Sequence, residues 1–267
     1  MASLLIQSDG IRLYARERGA GFPIVMAHGM WGDHQAFDDV VADLGGGYRT
    51  VCPDLRGHGR SETPARAWTV VDLAHDLART LDTLGIDAAV VVGHSLGGMA
   101  ALQLALRYPD RLHGLVLLST SAEAEKPERR SQLGLLALTI NMWGMNNWLA
   151  GRVANGFFSS VFARRFPAKV KAWRKGVLAM DKRALLQALE AVQNRPSVWD
   201  RLKDIGVPAL VMGTREDPIA DPARTAAMAH QLGNAELVML PGGGHALPTE
   251  HPRELTQALR RCIETWR

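Results

Sequence analysis

Gly93-His94-Ser95-Leu96-Gly97 constrains this chain more than any other stretch. It follows the apolar run Ala88 to Val92 and precedes the helix-forming Gly98 to Leu106. A serine at the tip of a strand-to-helix turn is held in a strained backbone conformation. Residues two before and two after it must be small, because larger side chains collide with the turn; Gly93 and Gly97 meet that demand. The turn lifts the Ser95 hydroxyl above a sheet and aims the Leu96 N–H at whatever the hydroxyl attacks. The pentapeptide alone is a modest signal, and its strand-before, helix-after context strengthens it.

Around this turn the chain alternates strands and helices. Strands are predicted near Leu4 to Gln7, at Ile11 to Ala15, Pro23 to Ala27, Tyr48 to Cys52, Ala88 to Val92, Leu112 to Leu118, Pro208 to Met212 and Ala235 to Leu240. Helices are predicted over Phe37 to Leu44, Val70 to Leu84, Ala223 to Gln231 and Pro252 to Trp266. Short apolar strands separated by helices imply an α/β architecture, a mainly parallel sheet of about eight strands covered on both faces. The segment 122–206 breaks the rhythm. It lacks a buried-strand pattern, reads as helices, and holds Trp143, Trp148, Trp173 and Trp199. It is expected to be a helical cap inserted into a core formed by 1–121 and 207–267. Met142 and Trp143 are candidate substrate-pocket residues from this cap, with the cap's own core as the alternative role.

A serine hydroxyl is a weak nucleophile and needs a base, which in turn needs a carboxylate to hold its tautomer. His245 follows the last predicted strand in Pro241-Gly242-Gly243-Gly244-His245, where a glycine-rich loop lets an imidazole reach over the sheet edge. The carboxylate is expected at another strand end, in Thr214-Arg215-Glu216-Asp217-Pro218. Asp217 is preferred and Glu216 competes. The loop His28-Gly29-Met30-Trp31 is positioned to supply a second oxyanion donor beside Leu96 N–H; Met30 is preferred over Trp31, and Trp31 is also a candidate substrate contact. His28 is expected to orient that loop.

These motifs together resemble the α/β-hydrolase superfamily. His28-Gly29 matches its oxyanion loop, and Asp54-Leu55-Arg56-Gly57-His58-Gly59-Arg60-Ser61 its D-x-R-G-x-G-x-S loop. Gly93 to Gly98 match its nucleophile elbow, and Asp217, the Gly244-His245 loop and Glu250-His251-Pro252 its acid and base ends. The order Ser95, Asp217, His245 is that superfamily's order. The resemblance implies small capped enzymes: esterases, enol-lactonases, cofactor-free haloperoxidase or perhydrolase types, and carbon–carbon bond hydrolases. It assigns the Asp54 to Ser61 loop a structural role. A serine at the elbow argues against the dehalogenase and epoxide hydrolase branches, which carry aspartate there. Ester or lactone hydrolysis is the leading expectation; carbon–carbon cleavage, acyl transfer, perhydrolysis and a slow-turnover receptor are the alternatives.

Composition narrows the partners. The 267 residues are 47% hydrophobic, enough for a full core. No Walker loop, early G-x-G-x-x-G, HExxH or paired cysteines occur, so no metal and no cofactor is expected. Cys52 and Cys262 are lone thiols. The start has no basic leader and no apolar run approaches a membrane span, so a cytoplasmic protein without stable membrane insertion is expected. The net charge of +4 is mild but uneven: 15 Lys or Arg face 7 Asp or Glu between Ala122 and Gly206. A solvated helix face is the plain account of that excess, and nucleic acid is not expected as a partner. The expected partner is a small substrate with an apolar part; the number of subunits is left open.

Overall fold

The computed structural model describes residues 2–266. Eight strands form one sheet: β1 (Ala2–Ser8), β2 (Ile11–Arg18), β3 (Phe22–Ala27), β4 (Tyr48–Pro53), β5 (Ala89–His94), β6 (Leu112–Leu118), β7 (Ala209–Thr214) and β8 (Ala235–Leu240). Their spatial order is β1-β2-β4-β3-β5-β6-β7-β8. Strands β1 and β2 pair antiparallel, as do β2 and β4, and every later pairing is parallel.

The central strands are apolar on both faces because both faces are covered. In β3 and β5, Val25, Ala27 and Val91 belong to one core, while Ile24, Met26, Val90 and Val92 belong to the other. The first core is roofed by α2 (Val70–Thr83) and α3 (Leu96–Arg107); the second by α1 (Asp38–Leu44) and α11 (Pro252–Trp266). In α11 the buried residues Leu255, Leu259, Cys262 and Ile263 share one face at helical spacing. Helix α2 starts with a capping box: Thr69 Oγ1 accepts from Asp72 N–H, and Asp72 accepts from Thr69 N–H. The predicted helix at Phe37 begins earlier, as a 3-10 turn over His34–Phe37 capped by Asp33. Strand β8 is an edge, and its residues are half-buried or exposed, unlike the buried β7.

Between β6 and β7 the chain forms α4 (Pro127–Trp143), α5 (Asn147–Phe157), α6 (Ser160–Arg165), α7 (Pro167–Ala179), α8 (Lys182–Gln193) and a 3-10 turn, Trp199–Asp204. The remaining helices are α9 (Pro222–Leu232) and the short α10 (Leu247–Glu250). From β3 the chain crosses first to β4 on one side and then to β5 on the other. That reversal opens a crevice at the carboxyl ends of β3 and β5, where ligands bind in open α/β sheets.

Candidate active site

Strain marks this crevice. Among the described residues, four non-glycines have left-handed backbone: Asp9, Trp31, Ser95 and Ser119. The last three follow the carboxyl ends of β3, β5 and β6, and such conformations persist only where the surroundings over-determine them. Ser95 has φ 50°. Its N–H donates to Leu118 O at 2.9 Å, and its carbonyl accepts from Thr120 Oγ1 at 2.7 Å and Met99 N–H at 3.0 Å. The flanking glycines are sterically required. A Cβ on Gly93 would lie 2.4 Å from Gly97 O, and one on Gly97 would lie 2.2 Å from Ala27 O.

The structure brings three of the sequence candidates together. Ser95 Oγ lies 2.9 Å from His245 Nε2, and His245 Nδ1 lies 3.0 and 3.1 Å from the two oxygens of Asp217. A carboxylate only accepts, so Nδ1 carries the ring proton, and Nε2 is left with the lone pair that faces the hydroxyl. All three residues are buried. Burial alone would raise the Asp217 carboxyl. Its pairing with His245, together with the Ala220 and Ile219 N–H groups, outweighs burial and holds Asp217 below the usual carboxylate range. The competing Glu216 points to solvent.

Several residues that the sequence did not single out hold this arrangement. His94 Nε2–H donates to His245 O at 2.8 Å. Burial, then the neighbouring His245, drives the His94 pKa down to about 3, so it stays neutral. Phe157, at the end of α5, accepts His245 N–H at 2.9 Å and Ala246 N–H at 3.1 Å through its carbonyl. Its ring packs edge-on against His245 at 5.2 Å and stacks on Trp173 at 5.1 Å. Glu250 accepts from Ser159 N–H (2.9 Å), Ser159 Oγ–H (2.5 Å) and Gly244 N–H (3.1 Å), which ties the base-bearing loop to the helical segment. Only the E-H-P match hinted at Glu250; nothing in the periodicity pointed to Phe157.

The loop after β3 lies against the nucleophile. A Cβ on Gly29 would sit 3.2 Å from Ser95 Cβ. His28 Nε2 accepts from Leu55 N–H and Nδ1–H donates to Gly29 O, so this histidine orients the loop. Gly97 N–H donates to His28 O at 3.1 Å, fixing the loop to the first turn of α3. Met30 is half-buried, Leu96 fully buried, and Trp31 Nε1–H donates to Leu185 O of α8. The Asp54 to Ser61 loop is a brace. Arg56 pairs with Asp76 at 2.6 Å while both are buried, and Asp54 binds His34 N–H and Arg60 N–H.

A cavity of about 700 Å³ adjoins the site, lined among others by Gly29, Trp31, His94, Phe157, Trp173 and Ala246. Two expected pocket residues are not in it. Met142 and Trp143 are 60% and 65% exposed on the outer surface of α4. Helix α4 spends Leu133 and Ile140, seven residues apart on one face, on packing, and this turns Met142 outward. The cavity wall instead comes from α5 and α7, through Phe157 and Trp173.

An exposed-edge sheet with a switch-point crevice, a left-handed serine, and an imidazole and carboxylate in line with it define a hydrolase class. The chain belongs to the alpha/beta hydrolase family, whose sequence profile it matches over residues 24–258. It is 31% identical to a 2-hydroxymuconate semialdehyde hydrolase of Pseudomonas sp. (strain CF600), across 92% of this chain and 88% of that protein. Among solved structures it resembles a thermophilic esterase from Thermogutta terrifontis (TM-score 0.91, 27% identity, 100% and 99% of the two chains). It also resembles the enol-lactonase from Burkholderia xenovorans LB400 (TM-score 0.91, 27% identity, 98% and 100%).

Proposed function

We propose that this hydrolase cleaves carboxylic esters or lactones through an acyl-enzyme on Ser95. The observation that carries the reading is the continuous hydrogen-bonded line from Ser95 Oγ through His245 to Asp217. In the proposed cycle His245 Nε2 takes the hydroxyl proton as Ser95 attacks the carbonyl. The oxyanion is held by the N–H groups of Met30 and Leu96, each worth about 3 kcal/mol in the transition state. Leu96 opens α3, so the helix dipole adds to its N–H. His245 then protonates the leaving alcohol, and water deprotonated by the same ring releases the acid.

In this reading 122–206 is a cap over a core of 1–121 and 207–267, and Trp31 is a wall of the substrate site. The substrate is a small molecule with an apolar part, in keeping with the aromatic lining at Phe157 and Trp173. The cytoplasm is the proposed compartment, consistent with two buried free thiols. Replacing Ser95 with Ala is expected to lower p-nitrophenyl ester turnover by roughly 10⁴- to 10⁶-fold, and to abolish labelling by a fluorophosphonate probe. Wild-type turnover in the pure variant would refute the assignment.

The 31% identity to a 2-hydroxymuconate semialdehyde hydrolase favours a second reading, carbon–carbon bond hydrolysis with the same three residues. Esters, lactones and dienoic oxo-acids assayed side by side separate the two by kcat/KM.

A further inference from the structure

A second apolar surface lies on the outer side of the helical segment. Leu135, Leu138 and Met142 follow one another at spacings of three and four along α4, and are 66%, 53% and 60% exposed. Trp143 and Trp148 extend the patch and are 65% and 69% exposed. Leu135, Trp143 and Trp148 share a groove of about 520 Å³ whose lining includes Arg152 and no acidic residue. Large apolar side chains clustered this way on a surface mark a contact site.

The charges around the patch identify the occupant. The Arg152 guanidinium lies 5.9 Å from the Trp148 ring centre. Arg174 donates to Asn147 O at 3.0 Å, and Lys182 Nζ to Asn141 O at 3.4 Å, which places both cations at the patch rim. Among the described residues, none of the three forms an ion pair. Asp181 caps α8 by accepting Arg183 N–H, and Glu128 lies in the first turn of α4, about 10 Å from Leu135 and about 20 Å from Met142 along the axis. A two-fold dimer through this face would bring the cations of the two copies to one interface, where the groove lining offers no acidic residue to meet them. An anionic surface with an apolar interior complements both features. No helix among the described residues is long and apolar enough to cross a membrane, and the exposed apolar side chains stand on the outer side of α4, so the contact is a peripheral one.

We propose that the α4–α5 face docks on anionic phospholipid bilayers, with Leu135, Leu138, Met142 and the two tryptophans entering the headgroup boundary and Arg152, Arg174 and Lys182 meeting lipid phosphates. Tryptophan suits that boundary because its ring is apolar and its N–H polar. The full-length protein is sedimented at low salt with phosphatidylglycerol-containing vesicles and, separately, with pure phosphatidylcholine vesicles. Binding is expected to the first and not the second, and to fade as salt is raised. Arg152→Glu and Lys182→Glu should each weaken binding at least fivefold, and Leu138→Glu should remove it. All three should retain wild-type circular dichroism and turnover of a soluble ester. The proposal is overturned by no co-sedimentation at low salt, or by equal binding to both vesicle types. Binding unmoved by Leu138→Glu and Arg152→Glu overturns it too, as does a dimer in analytical ultracentrifugation that Leu138→Glu dissociates.

Discussion

Gly97→Ala probes how tightly the nucleophile turn is built into the sheet. The added Cβ would lie 2.2 Å from Ala27 O, 2.6 Å from Ala27 C and 2.7 Å from His28 O. All three are backbone atoms at the carboxyl end of β3, so no side chain can swing away. Ordinary contact begins near 3.4 Å, so the turn and the β3 loop must separate by about 1 Å. That gap opens between Leu96 N–H and Met30 N–H, the two proposed oxyanion donors, and between Ser95 and its neighbours on the loop. A misplacement of about 1 Å costs on the order of 100-fold in rate. The expected result is a kcat about 100-fold lower for a p-nitrophenyl ester, KM changing far less, and a clear drop in melting temperature. Gly156→Ala is the matched control. Gly156 is exposed near the end of α5 with nothing within 4 Å of its virtual Cβ, so activity should persist and stability rise by about 0.5–1 kcal/mol. If Gly97→Ala turns over like the wild type, the steric account of the turn is wrong.

Three further outcomes are expected. Glu250→Gln puts an amide donor opposite Ser159 or Gly244, so at least one of three hydrogen bonds is lost; ester turnover should fall at least tenfold as the His245 loop loosens, and unchanged kcat would show that Phe157 O holds the loop alone. Burial, reinforced by a neighbouring histidine in each case, holds His58 and His94 neutral with pKa values of about 3 against an ordinary 6.5. The unfolded chain therefore binds more protons below pH 6.5, and stability falls as the pH drops from there toward 3. At pH 5 each histidine costs about 2 kcal/mol, readable as a lower urea midpoint than at pH 7; a flat profile would contradict it. Burial pushes the Cys52 thiol up to about 12 and Cys262 to about 11. At pH 8 a disulfide reagent should modify neither in the native protein and both after denaturation, and rapid native labelling would refute their burial.

Much of the architecture was legible along the chain because its signals are local. Strand β6 and helix α11 have the predicted bounds, since an apolar run and a helical stripe need only their own residues to declare themselves. The serine turn was legible for the same reason, because a strained five-residue geometry demands glycine at two fixed positions. Proximity is different. That Asp217 rather than Glu216 turns inward depends on Ile219 and Ala220 N–H groups and on an imidazole 28 residues later. Met142 and Trp143 looked like pocket residues because apolarity does not say which side of a helix is covered. The packing of Leu133 and Ile140 against their neighbours turned Met142 outward, Trp143 is exposed at the last residue of the helix, and the cavity wall was left to Phe157 and Trp173. Local backbone preferences and hydrophobic periods are written residue by residue. The meeting of Ser95, Asp217 and His245 belongs to the assembled sheet, which alone brings three distant strand ends to one edge.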